Sequence, residues 1–314
     1  MASSGSGSVR FGLQLWPQRA SWADLHEAAL AAESAGWDSI WTWDHLLAIQ
    51  GPWQQPIFEG WSVLAGLATA TERVRLGLMV GANTFRNPGL TAKLAITLDH
   101  ISNGRAVLGI GGAWFEREHE AFGLDFGASV GERLDKLGEA VPLLRRLLDG
   151  EQVTEAGRFY DFRDALAVPR PIQPHLPILI GGSGPKKTLP IVARYGDGWN
   201  TSGTIEEVTA SLDILKGHCD AAGRDLRDIE LTVSFPTIVR DTVEAALDVR
   251  ARQLAHNGLE NLGTTPTLTG SPESIAAAYR PYHDLGFRTV IVRMPAPFDR
   301  ETIDRLPEVL AALA

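Results

Sequence analysis

From Val9 onward the chain alternates between short apolar runs and longer segments whose apolar residues recur every three or four positions. The short runs predict strands over residues 11–15, 38–42, 74–80, 106–110, 177–180, 198–200, 229–235 and 289–293. The longer segments predict helices over 23–35, 61–71, 90–101, 130–148, 187–195, 205–222, 243–257, 271–285 and 302–313. In the first helix Leu25, Ala28, Ala29 and Ala32 share one face, and Gly36 stands just past its end, where a left-handed residue closes a helix. Ser271-Pro272 opens a later helix with a capping hydroxyl and a proline at the first helical position. Residues 150–175 break the rhythm with Gly, Pro and the aromatics Phe159, Tyr160 and Phe162, and predict an inserted hairpin and loop. A polar loop is expected over 258–270.

Strands that follow one another through helices pair in parallel, because a crossover helix returns the chain to the same end of the sheet. Eight such pairs predict an α/β fold: a TIM-type (β/α)8 barrel with insertions. An open doubly wound sheet is the rival, and the lack of a strong dinucleotide fingerprint favours the closed barrel. In a barrel the chemistry belongs at the C-terminal ends of the strands.

Composition narrows the function classes. The 314 residues, 44% apolar and 21% charged, suit one globular barrel, expected over 9–314. Residues 1–8 are small and polar without an apolar signal core, and are expected to form a disordered tail. A net charge of −9 disfavours nucleic acid as a partner. No apolar stretch reaches the ~18 residues a membrane span needs. The single cysteine, Cys219, lies in an amphipathic helix and reads as a buried inert thiol, in keeping with the reducing cytoplasm.

Several strand ends carry candidate chemistry. Asp44-His45 directly follows the second strand; a carboxylate and an imidazole there can orient and exchange protons, or can simply pin a loop. Met79 and Val80 end the third strand and lead into Gly81-Ala82-Asn83. Gly109-Ile110-Gly111-Gly112-Ala113-Trp114 starts like a dinucleotide fingerprint but has Trp114 in place of the third glycine. Gly181-Gly182-Ser183-Gly184 runs from a strand into a helix start, where backbone amides suit a phosphate. Glu116 to Glu120 read as a solvated helix start and not a zinc site, since a second spaced histidine is missing; no metal is expected. Six of the nine tryptophans, Trp37, Trp41, Trp43, Trp53, Trp61 and Trp114, fall near the first four strand ends, in positions to pack the core or to line an aromatic pocket.

Taken in order, Ala32-Glu33-Ser34-Ala35-Gly36-Trp37, Trp43-Asp44-His45, Thr71-Glu72-Arg73-Val74-Arg75-Leu76-Gly77, Phe85-Arg86-Asn87-Pro88, Asp99-His100-Ile101-Ser102-Asn103-Gly104-Arg105, Gly182-Ser183-Gly184-Pro185 and Tyr195-Gly196-Asp197-Gly198-Trp199 resemble the luciferase-like monooxygenase family, specifically its coenzyme F420-dependent branch. The resemblance spans the chain after Val9. It implies a barrel oxidoreductase, a homodimer, and hydride transfer between a deazaflavin and a small organic substrate. By the same resemblance Asp44 and His45 lie against the cofactor ring. His45 is the general acid/base, and Asp44 orients the histidine or the ring. A non-proline cis peptide is implied at Met79–Val80, behind the ring. Gly111, Gly112, Ala113 and Trp114 border the ring and its side chain, and Gly182, Ser183 and Gly184 hold its phosphate. Trp114 stands where the sugar-phosphate dehydrogenases of the branch carry a glutamate, and Leu46-Leu47-Ala48-Ile49 replaces their nearby tryptophan. That departure shifts the expected substrate to an alcohol, ketone or activated alkene. An FMN-dependent monooxygenase using oxygen is the alternative on the same fold, and a non-catalytic flavin-binding barrel is a second.

Overall fold

The computed structural model describes residues 9–260 and 265–313. The predicted tail at 1–8 and part of the predicted loop at 258–270 lie outside the described residues.

The eight principal strands are β1 (Arg10–Leu15), β2 (Ser39–Thr42), β3 (Arg75–Leu78), β4 (Ala106–Gly111), β5 (Ile178–Gly181), β6 (Gly198–Thr201), β7 (Glu230–Val239) and β8 (Thr289–Met294). Each pairs in parallel with the next. β8 then pairs with β1 from Arg10↔Thr289 to Leu15↔Met294, which closes the ring. The barrel is therefore closed, and the open sheet is excluded.

Helices wrap the outside and bury their apolar faces on the strands, most of them in one continuous core, while Ala246 and Val249 of the helix Val243–Asn257 pack on Ile238 in a cluster of their own. Inside the ring Trp41, Met79, Val107, Leu179 and Ile291 form a separate cluster. Trp41 fits there because Gly12 and Gly77 face it; a Cβ on either would sit 2.8 or 2.7 Å from the indole. These side chains fill the lower barrel down to a cavity of about 20 Å³, and the large space lies at the mouth, where the strands end.

Most helices begin with a capping side chain. Ser21 and Asp24 form a reciprocal capping box, as do Thr204 and Glu207. The insertion is a two-stranded antiparallel hairpin, Val153–Ala156 with Asp161–Ala165, off the barrel sheet as expected. Glu139 anchors it by accepting the backbone N–H groups of Phe159 and Tyr160 at 2.9 and 2.8 Å. Cys219 is buried in the helix Ile205–Ala222, and burial pushes its thiol above the ordinary value.

Three departures from the sequence reading matter. β3 stops at Leu78, and after it Gly81–Ala82 pairs separately with β4. The helix start read at Glu116 to Glu120 is a short helix, Glu116–Phe122, that follows β4 and is half turned inward. The last helix is two, Arg300–Asp304 and Leu306–Leu313, and the second carries Pro307 in its first turn, where a missing N–H costs no helical bond.

Candidate active site

The chain leaving β2 turns two side chains toward the mouth of the barrel. Asp44 is 2% exposed. Its carboxylate accepts the Ala82 N–H at 2.8 Å and both terminal nitrogens of Arg86, at 2.7 and 2.9 Å. Arg86 also donates to Glu59 at 3.0 Å. Burial alone would push the Arg86 guanidinium down, but its bonds to Asp44 and the charges of Asp44 and Glu59 hold it above its ordinary value. Asp44 thus clamps the end of β2 to the loop after β3.

His45 takes a different partner. Its Nδ1 lies 2.9 Å from Glu118 Oε1, and Glu118 Oε2 accepts the Leu46 N–H at 2.9 Å. A carboxylate oxygen only accepts, so Nδ1 carries the hydrogen and Nε2 is left to exchange a proton. Nε2 has no hydrogen bond among the described residues. The imidazole is walled edge-on by Trp43, Trp114 and Phe115, with ring centroids at 6.1, 5.7 and 6.4 Å.

Two sequence readings are corrected here. Residues 116–120 do start a helix with Glu116, Arg117 and Glu120 exposed, but Glu118 and His119 are not solvated: they are 1% and 0% exposed. His119 Nε2 meets Thr84 Oγ1 at 2.7 Å and its Nδ1 donates to the Phe115 carbonyl at 2.9 Å, which fixes the helix to the loop after β3. And of the two roles open to Asp44, orienting the histidine belongs to Glu118 instead.

The opposite wall is built from backbone. The Met79–Val80 peptide is cis, and Gln14 Nε2 donates to the Met79 carbonyl at 2.8 Å. Val80 projects over Gly111 and Gly181, where an added Cβ would stand 2.8 and 2.9 Å from its methyls. Beyond β5, Gly182 has a φ of +114°, open to glycine, and Ser183 Oγ meets Thr201 Oγ1 at 2.8 Å. This loop feeds the helix Thr188–Tyr195, whose N-terminal turn has no capping side chain. Leu189 N–H donates back to the Gly184 carbonyl at 3.0 Å and Pro190 has no N–H, so Thr188 carries the open amide of this turn, and a helix start behind a glycine loop suits a phosphoryl group.

All these pieces border one cavity of 670 Å³, within the range of cofactor sites. Every site residue singled out in the sequence lines it: Asp44, His45, Met79, Val80, Gly111, Gly112, Ala113, Trp114, Gly182, Ser183 and Gly184. Gln14, Trp16, Glu118, Asn200, Ser234 and Arg293 line it as well and were not singled out. Of the tryptophans near strand ends, Trp43 and Trp114 reach the cavity; Trp37, Trp41 and Trp61 pack the interior, and Trp53 lies under Arg117. Trp16, which follows β1, packs at a tilt against Trp43 with ring centroids 4.4 Å apart and could have been found from its position alone. The glycine-lined wall gives backbone approach to a flat ring, and the uncapped helix start suits a phosphorylated tail, so the residues fit a flavin-type cofactor.

A model of the luciferase-like monooxygenase family matches residues 6–263. The F420-dependent glucose-6-phosphate dehydrogenase of Kineococcus radiotolerans is 33% identical over 300 residues, covering 86% of this chain and 87% of that one. Among solved structures, an F420-dependent secondary alcohol dehydrogenase in complex with an F420-acetone adduct superposes with a TM-score of 0.86 at 19% identity, over 98% of this chain and 100% of the other. The coenzyme F420-dependent tetrahydromethanopterin reductase of Methanopyrus kandleri superposes with a TM-score of 0.82 at 20% identity, over the same shares. At such identities the superpositions speak for the fold.

Proposed function

This chain belongs to the luciferase-like monooxygenase family, and we propose that within it the protein is a coenzyme F420-dependent oxidoreductase acting on a small alcohol, ketone or activated alkene. The observation that carries the reading is His45, held through Nδ1 by buried Glu118 and opening on the same cavity as the glycine-lined wall.

When bound, the deazaflavin supplies two-electron hydride chemistry and does not activate oxygen as a flavin does. Gly182, Ser183 and Gly184, with the helix start behind them, hold its phosphoryl group. Met79, Val80, Gly111, Gly112, Ala113 and Trp114 border the ring, and Asp44 stiffens the strand end beside it. His45 Nε2 takes the hydroxyl proton when an alcohol is oxidised and returns one in the reverse direction. Glu118 keeps the imidazole in one tautomer and stabilises its protonated form. Buried Trp43 and half-buried Phe115 limit water around that exchange, while Trp114, 60% exposed, stands at the open rim. The same reading carries a homodimer working in the cytoplasm, of which the assembly is checked by the mass of the protein in solution.

A panel of alcohols, ketones and enones is mixed with enzyme and oxidised or reduced deazaflavin, with and without air, and the cofactor absorbance is followed. The expected result is turnover matching substrate consumed and indifferent to air. Turnover that needs FMN and consumes oxygen would assign the protein to the monooxygenase chemistry instead.

A further inference from the structure

On the far side of the mouth the cavity contains polar groups the mechanism leaves unused. Arg293, the second-last residue of β8, borders the cavity. Its Nε and Nη2 are shielded from solvent and have no partner, and its guanidinium forms no ion pair among the described residues. Gln14 is its register partner on β1, and the Gln14 Oε1 is likewise buried without a partner. Trp16, two residues on and so on the same face of the chain, leaves its Nε1 unpaired as well. Unsatisfied polar atoms on three neighbouring side chains are rare in a folded interior, where nearly all such groups are paired.

The charge pattern says what they await. Among the described residues lining the cavity Arg293 is the only lysine or arginine. The carboxylates there are engaged elsewhere, Asp44 with Arg86 and Glu118 with His45. With nothing opposing it, desolvation pushes the Arg293 guanidinium down to about 10. Arg293 is half-buried with two of its three guanidinium nitrogens shielded, and a desolvated cation without a counter-ion costs stability that a ligand would restore.

In the closed ring β8 lies four strands from β4, across the mouth from Gly111 to Trp114 and the wall assigned to the cofactor ring. We propose that Arg293 is the substrate's anchor, binding a carboxylate, so that the substrate is an acid bearing the alcohol, carbonyl or activated alkene that reacts beside His45. This rests on the oxidoreductase reading above and narrows its substrate class. A planar guanidinium matches a carboxylate through two parallel hydrogen bonds. A phosphate dianion calls for more cations than the one present, which separates this site from that of a sugar-phosphate dehydrogenase. Trp16 and Trp43 supply an apolar wall for the rest of such an acid, and the Gln14 oxygen accepts a hydrogen from it.

The test compares wild type, Arg293→Met and Arg293→Lys, with cinnamate, its primary amide and inorganic phosphate as probes. Binding is read by melting temperature and by calorimetric titration on the protein alone and on protein loaded with deazaflavin. Cinnamate should stabilise the wild type and its amide and phosphate should not. Arg293→Met should weaken cinnamate by about tenfold to a hundredfold, the loss of a charged hydrogen-bonded pair, and Arg293→Lys should restore only part of it. Arg293→Met should melt no lower than wild type, and deazaflavin affinity should stay within about twofold, well under the tenfold that 1.4 kcal/mol represents. A lower melting temperature in Arg293→Met would make the residue structural. A marked loss of deazaflavin affinity would assign it to the cofactor, and equal binding of acid and amide would remove the carboxylate. Each of these overturns the proposal. Failure of wild type to bind deazaflavin at all would instead strike the oxidoreductase reading, and the cinnamate result on unloaded protein is read separately.

Discussion

At the scale of single residues, the end of β2 carries two carboxylate partnerships with separate consequences. Glu118 holds His45, and Asp44 holds Arg86. His45→Ala should bind deazaflavin nearly as wild type while kcat falls by roughly 10²–10⁴-fold, the usual worth of positioned proton transfer. Glu118→Gln keeps an oxygen for the Leu46 N–H but no longer stabilises a protonated imidazole. It should therefore lose rate with little loss of melting temperature, and steady-state kinetics beside thermal melting separates the two effects. Asp44→Ala should behave differently. Removing one member of a buried pair costs about 3–5 kcal/mol, here toward the low end because Glu59 still faces Arg86. Denaturant unfolding should show that loss, and deazaflavin affinity should drop with it. Asp44 and His45 were legible because they directly follow a strand, at the end where a barrel places chemistry. Glu118 was not. The run Glu-Arg-Glu-His-Glu looks solvated, and its burial depends on His45 and Leu46, more than seventy residues earlier, which no local pattern reports.

At the scale of elements, the glycine-lined wall depends on the absence of side chains at particular strand ends. Gly181→Ala would press a methyl to 2.9 Å from both Val80 methyls. Since Val80 can only yield by moving into the space assigned to the ring, deazaflavin affinity should fall more than stability does. In the next loop an added Cβ at Gly184 would stand 2.8 Å from Thr188 Oγ1, at the uncapped helix start. Gly184→Val should therefore weaken the cofactor strongly and leave the binding of unphosphorylated deazaflavin fragments less affected, as equilibrium titration with both would show. Unchanged affinity for the intact cofactor would move the phosphate site elsewhere. For long amphipathic helices such as Val130–Leu148, Ile205–Ala222 and Val243–Asn257 the predicted and observed bounds coincide, because periodicity and caps agree there. Short elements were harder. Gly81–Ala82 and Leu268–Gly270 owe their pairing to β4 and β7 and have too few residues for a period of their own. Pro307 marked the break in the last helix and was a readable signal.

At the scale of the whole molecule, eight strand–helix units close because β8 meets β1 over six residue pairs, and Trp41 fills the lower interior. Alternation of strand and helix made the barrel legible. The polar corner at Gln14, Trp16 and Arg293 was not, since it joins the first and last strands and appears only when the ring closes. Closure also gathers the acid/base group, the ring wall and the phosphate cradle around one cavity. The cofactor that cavity selects separates deazaflavin from flavin chemistry, and equilibrium titration of the purified protein with coenzyme F420 and, separately, with FMN reads that selection. Saturable one-to-one binding of the deazaflavin is expected, tighter than FMN and weakened by Gly184→Val. Tight FMN binding with no measurable affinity for the deazaflavin would contradict it.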